Sequence, residues 1–164
     1  MELPKRKQIR LQGYDYSSNG AYFITICTNN RQELLCEICR GGALLLPIGT
    51  ICENEISQLQ KRYMIKIDKY VIMPNHIHMV IVIDVERAEQ SPSPTISDII
   101  CTFKSLTTKL SNANDNITGR KIWQRSFHDH IIRNENEYQK ICQYIDTNPQ
   151  KWDEDCFLLP QHLL

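Results

Sequence analysis

Short β-branched runs alternate along this chain with stretches whose apolar residues recur at helical spacing. The clearest run is 76–83, His-Ile-His-Met-Val-Ile-Val-Ile, which follows Met73-Pro74-Asn75. Eight such residues after a Pro-Asn break predict a buried strand. Residues 22–28, Tyr-Phe-Ile-Thr-Ile-Cys-Thr, form an earlier run, and 65–73 forms another that ends at Pro74. The short break between 65–73 and 76–83 predicts a hairpin. Helical spacing fills 48–63, with Ile48, Ile51, Cys52, Ile56 and Leu59 on one side. Thr95 and Asp98 have the spacing of a capping box ahead of a helix reaching about Leu110. That helix turns Ile96, Ile99, Ile100, Phe103, Leu106 and Leu110 inward and Lys104, Ser105, Thr107, Thr108 and Lys109 outward. Asn134 and Glu137 repeat the cap signature before a last helix, which Pro149 stops at about Asn148. Gly41-Gly42 is a turn, 86–94 a Ser-Pro loop and 111–119 an Asn-rich turn. Between them, 123–133 holds a fourth strand around Phe127-His128-Asp129-His130-Ile131-Ile132.

The order βαββαβα predicts an α+β fold, a ferredoxin-like four-stranded antiparallel sheet with helices packed on it. The 164 residues fit one domain, 1–164, with a basic N-terminal arm at about 1–20 and a short tail at about 150–164. No internal repeat or linker interrupts it.

Composition narrows the partners. Apolar content of 41% and charged content of 23% are those of a globular protein. Nineteen basic and nineteen acidic residues cancel, so any nucleic-acid contact must use local patches. No apolar run approaches membrane-spanning length, no apolar segment follows the basic first ten residues, and the seven cysteines are scattered. These features predict a cytoplasmic protein with reduced thiols and no membrane partner. Cys36 and Cys39 make one CxxC, half a zinc site, and read as incidental thiols near a strand or hairpin.

The candidate chemistry begins at His76 and His78. On a strand they point to the same face, two imidazoles side by side for one divalent ion, while Ile77 turns into the core. Val80 takes the next same-face position, which argues against a histidine-triad nucleotide hydrolase. In the last helix Tyr138, Ile141, Cys142 and Ile145 form the core stripe. Tyr144 lies on its flank, and Asn148 stands one turn further along that flank. A divalent ion held by two imidazoles and an amide oxygen keeps open positions and polarises a phosphodiester. A nearby tyrosine attacks phosphorus and holds the cut strand covalently, which conserves the bond for rejoining. Tyr138 is the second candidate nucleophile, and His128 and His130 are alternatives to Asn148 as third ligand.

Several segments, in order, resemble the REP-associated tyrosine transposases, an IS200-like branch of the HUH superfamily of single-stranded-DNA endonucleases. They are Arg10-Leu11-Gln12-Gly13-Tyr14-Asp15-Tyr16-Ser17, Gly20-Ala21-Tyr22-Phe23-Ile24-Thr25-Ile26-Cys27-Thr28, Met73-Pro74-Asn75-His76-Ile77-His78, Phe103-Lys104-Ser105, the run 123–133, and Tyr144-Ile145-Asp146-Thr147-Asn148-Pro149. The resemblance implies a ferredoxin-like sheet with the two histidines on a central strand. It implies Mg²⁺ or Mn²⁺ at His76, His78 and Asn148, with Tyr144 as nucleophile, leaving a 5′-phosphotyrosine and a free 3′-hydroxyl. The implied substrate is single-stranded DNA beside a palindromic hairpin, handled by a monomer or a homodimer. The candidate DNA contacts are Lys5, Arg6, Lys7, Arg10, Tyr14, Tyr16, Lys104, Ser105, Lys109, Arg125 and Arg133, with Arg120 and Lys121 as further cations. The competing reading is a catalytically silent, domesticated protein that grips DNA hairpins without cutting them.

Overall fold

The computed structural model describes residues 19–39, 42–84 and 94–154. Four strands make one antiparallel sheet: β1 (Gly20–Cys27), β4 (Lys66–Ile72), β5 (His76–Ile83) and β6 (His128–Ile132), in the spatial order β4-β5-β1-β6. With α1 (Pro47–Tyr63), α2 (Ile96–Asn114) and α3 (Glu135–Thr147), this is the predicted α+β, ferredoxin-like arrangement. A small hairpin, β2 (Cys36–Cys39) with β3 (Gly42–Leu45), adds a separate two-stranded sheet; of the predicted Gly41-Gly42 turn, Gly42 opens β3 and Gly41 lies outside the described residues.

Strand alternation divides the sheet into two unlike faces. One face carries Tyr22, Ile24 and Ile26 from β1 and Ile77, Met79, Ile81 and Ile83 from β5. These pack on Ile48, Cys52, Ile56 and Leu59 of α1 and Ile96, Ile99, Ile100 and Phe103 of α2 to form the core. The other face carries Phe23, Thr25, His76 and His78, and α3 lies across it.

A β-bulge shapes that second face. Ile67 pairs with Ile81 and Lys69 with Val80, so Asp68 is the extra residue. The bulge turns Lys69 to the α3 side, where its ammonium meets both carboxylate oxygens of Asp146 at 2.6 Å. It also puts Tyr70 toward α1, where its hydroxyl donates to Glu53.

Both predicted caps form. The Thr95 hydroxyl accepts from the Asp98 amide while the Asp98 carboxylate accepts from the Thr95 amide. The Asn134 side-chain oxygen accepts from the Glu137 amide at 2.9 Å. The second helix departs from expectation at its far end. It runs on to Asn114, and Leu110 is 43% exposed because that last turn overhangs the core. Thr107, expected on the solvated face, is fully buried. Its hydroxyl accepts from the Trp123 indole at 2.8 Å and donates to the Phe103 carbonyl, so a polar residue sits in the apolar stripe fully bonded.

Candidate active site

Register brings the two histidines to the middle of the α3 face. Thr25 pairs with His78 and Cys27 with His76 across β1 and β5. The imidazoles are buried, with ring centroids 4.5 Å apart. Each is oriented through Nδ1. His78 Nδ1 lies 2.8 Å from the Thr25 hydroxyl, and His76 Nδ1 lies 2.8 Å from the Asn75 side-chain oxygen. A carboxamide oxygen only accepts, so His76 carries its proton on Nδ1 and keeps a lone pair on Nε2. Burial pushes His76 down to about 2, helped by the neighbouring His78 and Arg31, and burial alone pushes His78 down to about 3. Both rings are therefore neutral, the form that binds a metal ion.

Helix α3 delivers the tyrosine. The Tyr144 hydroxyl lies 3.3 Å from His78 Nε2, and the phenol ring meets both His78 and Phe23 edge-on. Tyr144 remains 41% exposed while one edge of its ring touches the histidine. The chain then enters a 3-10 turn, Asn148–Glu154, in which Trp152 stacks on His76 with centroids 6.2 Å apart. Asn148 lies between these two anchor points. It is buried, and its Oδ1 has no hydrogen-bond donor among the described residues. A buried amide oxygen in that state is costly unless something else satisfies it. Two neutral imidazoles and an amide oxygen form a donor set that fits a divalent ion with positions to spare. Among the described residues no group of three or more His, Cys, Asp and Glu side chains assembles an alternative metal centre.

The predicted alternatives are placed elsewhere. His130 pairs across the sheet with Phe23 but is bonded to Glu137 at 2.6 Å, and His128, opposite Thr25, is exposed. Neither joins His76 and His78 in a cluster of three. Tyr138 is half-buried, and Tyr144 is the tyrosine in contact with His78. Cys36 is buried, its thiol donates to the Ile72 carbonyl, and burial pushes its pKa up to about 12, while Cys39 is exposed. The CxxC is thus two unlike thiols on a small hairpin.

The family model described as "Transposase IS200 like" matches residues 16–148. The chain belongs to the IS200-like transposase family. A Haemophilus influenzae protein, itself described as uncharacterized, is 36% identical to this transposase-family chain over 166 residues, covering 92% of this chain and 91% of the other. Among solved structures, a REP-associated tyrosine transposase bound to a REP hairpin superposes with a TM-score of 0.58. Its identity is 22%, with 87% of this chain and 74% of that chain covered. A protein from Deinococcus radiodurans assigned as a transposase gives 0.51 at 15% identity, over 84% and 95% of the two chains. At these identities the two structures show the shared fold.

In this IS200-like chain the candidate DNA contacts divide sharply. Lys5, Arg6, Lys7, Arg10, Tyr14 and Tyr16 lie outside the described residues. Ser105 and Lys109 are exposed on α2, which packs on the sheet face away from the histidines. Lys104 is half-buried, and its ammonium donates to the carbonyls of Gln124 and Ser126 at 2.9 and 2.7 Å. Burial lowers its pKa to about 8. It clamps the segment that leads into β6 and leaves the intervening Arg125 exposed. Arg133 is exposed at the start of α3, while Arg120 closes the end of α2 by bonding Asp115 and the Ser111 carbonyl.

The sequence reading missed Thr25, Asn75 and Phe23. Asn75 stood in view beside His76 but read only as a strand break. Thr25 and Phe23 become site residues only through the pairing of β1 with β5, which local spacing does not reveal.

Proposed function

We propose that this chain is a metal-dependent single-stranded-DNA transposase that cuts and rejoins DNA beside palindromic hairpins through a covalent 5′-phosphotyrosine at Tyr144. The observation that carries this reading is the Tyr144 hydroxyl 3.3 Å from Nε2 of a buried, neutral His78. A nucleophile candidate and a ligand candidate share one edge, so a phosphate reaching one also reaches the other. His76, His78 and Asn148 would hold Mg²⁺ or Mn²⁺. The bound ion would polarise the scissile phosphodiester and stabilise the charge that develops on it. Asn75 fixes the tautomer of His76 and Thr25 orients the His78 ring at Nδ1, so Nε2 of each ring would be the donor to the ion. Tyr144, open on one side, gives up its phenolic proton to solvent and attacks phosphorus. The Oη–P bond forms, the P–O3′ bond breaks, and the departing 3′ oxygen takes a proton. Attack by another 3′-hydroxyl reverses these changes and joins a new end.

The family supports strand transfer as the reaction class, and the hairpin held by the solved relative supports hairpin DNA as the substrate. The test mixes purified protein, Mg²⁺ or Mn²⁺ and labelled single-stranded DNA carrying palindromes from around its own gene. A metal-dependent covalent band, absent from Tyr144→Phe, is the expected result. Tight hairpin binding with no band under either metal would instead make this a DNA-hairpin-binding protein.

A further inference from the structure

The loop from residue 28 to residue 35 is clasped at both ends onto the two residues that precede His76. At one end the Thr28 amide donates to the Asn75 carbonyl at 2.9 Å, and its hydroxyl sits between that oxygen at 3.0 Å and the Gln32 carbonyl at 2.7 Å. At the other the amides of Leu34 and Leu35 both donate to the Pro74 carbonyl. Arg31 lies in the middle of this clasp, in the 3-10 turn Asn29–Arg31. It is half-buried, and its Nε is shut off from solvent.

The backbone at Arg31 is unusual. Asn30 and Arg31 stand consecutively at φ 54° and φ 53°, in the left-handed region. Asn tolerates that region, but a long side chain pays for it, and Gly would sit there without strain. Non-glycine residues persist in such conformations where the surrounding structure holds them, and they cluster at functional sites.

We propose that Arg31 is a phosphate-binding residue of the Tyr144 site, holding the non-bridging oxygens of the scissile phosphodiester. This rests on the proposed cleavage reaction and adds to it a group that neither the metal donor set nor the tyrosine supplies. A guanidinium offers a planar fork of donors that matches two phosphate oxygens at once. Carried by a loop clasped to Pro74 and Asn75, the two residues before His76, it stabilises negative charge as phosphorus becomes five-coordinate.

Four readouts on Arg31→Gly and Arg31→Lys test the assignment. Arg31→Gly relaxes the left-handed backbone, so its melting temperature should equal or exceed that of the unaltered protein. Single-turnover cleavage should fall about 10²-fold, the usual effect of losing one charge-stabilising donor. Arg31→Lys, which keeps the charge without the fork, should recover part of that loss. Hairpin Kd should stay within about threefold, and Mn²⁺ should bind as tightly or more tightly, because removing a nearby cation favours a divalent ion. Arg31→Gly cleaving within about threefold of the unaltered protein would overturn the proposal. So would parallel losses of stability, Mn²⁺ binding and cleavage, which mark a purely structural residue. If the unaltered protein forms no metal-dependent adduct, the cleavage reading itself fails and this proposal falls with it. An adduct that is unaffected in Arg31→Gly removes the Arg31 assignment alone.

Discussion

At the scale of single residues, the site depends on two side chains that touch the imidazoles from behind. Thr25→Val keeps the size of the residue but removes the hydroxyl at His78 Nδ1. Mn²⁺ affinity measured by calorimetry should drop 10- to 100-fold, roughly the effect of losing an outer-shell partner. Unchanged affinity would detach Thr25 from the site. The imidazoles also set a pH dependence. Both are held far below the ordinary histidine range in the folded chain, whereas an unfolded chain protonates them near pH 6.5. The unfolded state therefore binds more protons as pH falls below about 7, and stability falls with it. The lowered carboxyls of Asp98, Asp115 and Glu137 add their losses only below about pH 4. The urea midpoint of metal-free protein should thus decline between pH 7 and pH 5, and His76→Gln/His78→Gln should flatten that slope. A level profile for the unaltered protein would contradict the burial account. The shared face of His76 and His78 and the flank position of Tyr144 were legible from local periodicity, while the roles proposed for them and for Asn148 came from the family resemblance. Thr25 was not legible, because its role exists only when residue 25 pairs with residue 78.

At the scale of elements, α3 is strapped to both edges of the sheet. Glu137 in its first turn bonds His130 on β6, and Asp146 in its last turn bonds Lys69 on β4. Tyr144 sits two residues before Asp146, so the Lys69 contact bears directly on where the phenol stands. Lys69→Asp should slow adduct formation more than it weakens hairpin binding, and the swap Lys69→Asp/Asp146→Lys should restore much of the rate. Failure of the swap to recover any rate would remove this strap from the account. The bulge at Asp68 that aims Lys69 was invisible in the sequence, because 65–73 reads as an unbroken strand. The helix caps were visible, since a capping box is written in residues three apart. The burial of Thr107 was hidden for the opposite reason. Its partner Trp123 is sixteen residues away, and without that indole a threonine reads as surface. One glycine also fixes element packing. A Cβ on Gly49 would run into the Leu35 backbone carbonyl, which already accepts from the Leu46 amide. Gly49→Ala should cost about 3 kcal/mol by denaturant titration, an overpacking penalty against backbone that cannot yield.

At the scale of the whole molecule, the fold is a two-faced sheet with separate tasks. One face buries the apolar core under α1 and α2, and the other presents histidines under α3. Within one chain the Tyr144 hydroxyl already reaches His78. Mixing Tyr144→Phe with His76→Ala should therefore yield no adduct, and recovery in the mixture would mean that the tyrosine acts across a dimer. The element order made this architecture readable, because βαββαβα with a hairpin between two crossover units has few compact solutions. The strands of the β2–β3 hairpin were not legible, since its two four-residue arms are too short to declare a period. The most direct test of the central claim is to digest the covalent protein–DNA product and locate the attached nucleotide by mass spectrometry. The account predicts a 5′-phosphodeoxynucleotide on Tyr144; its appearance on Tyr138 or on any other residue would contradict it.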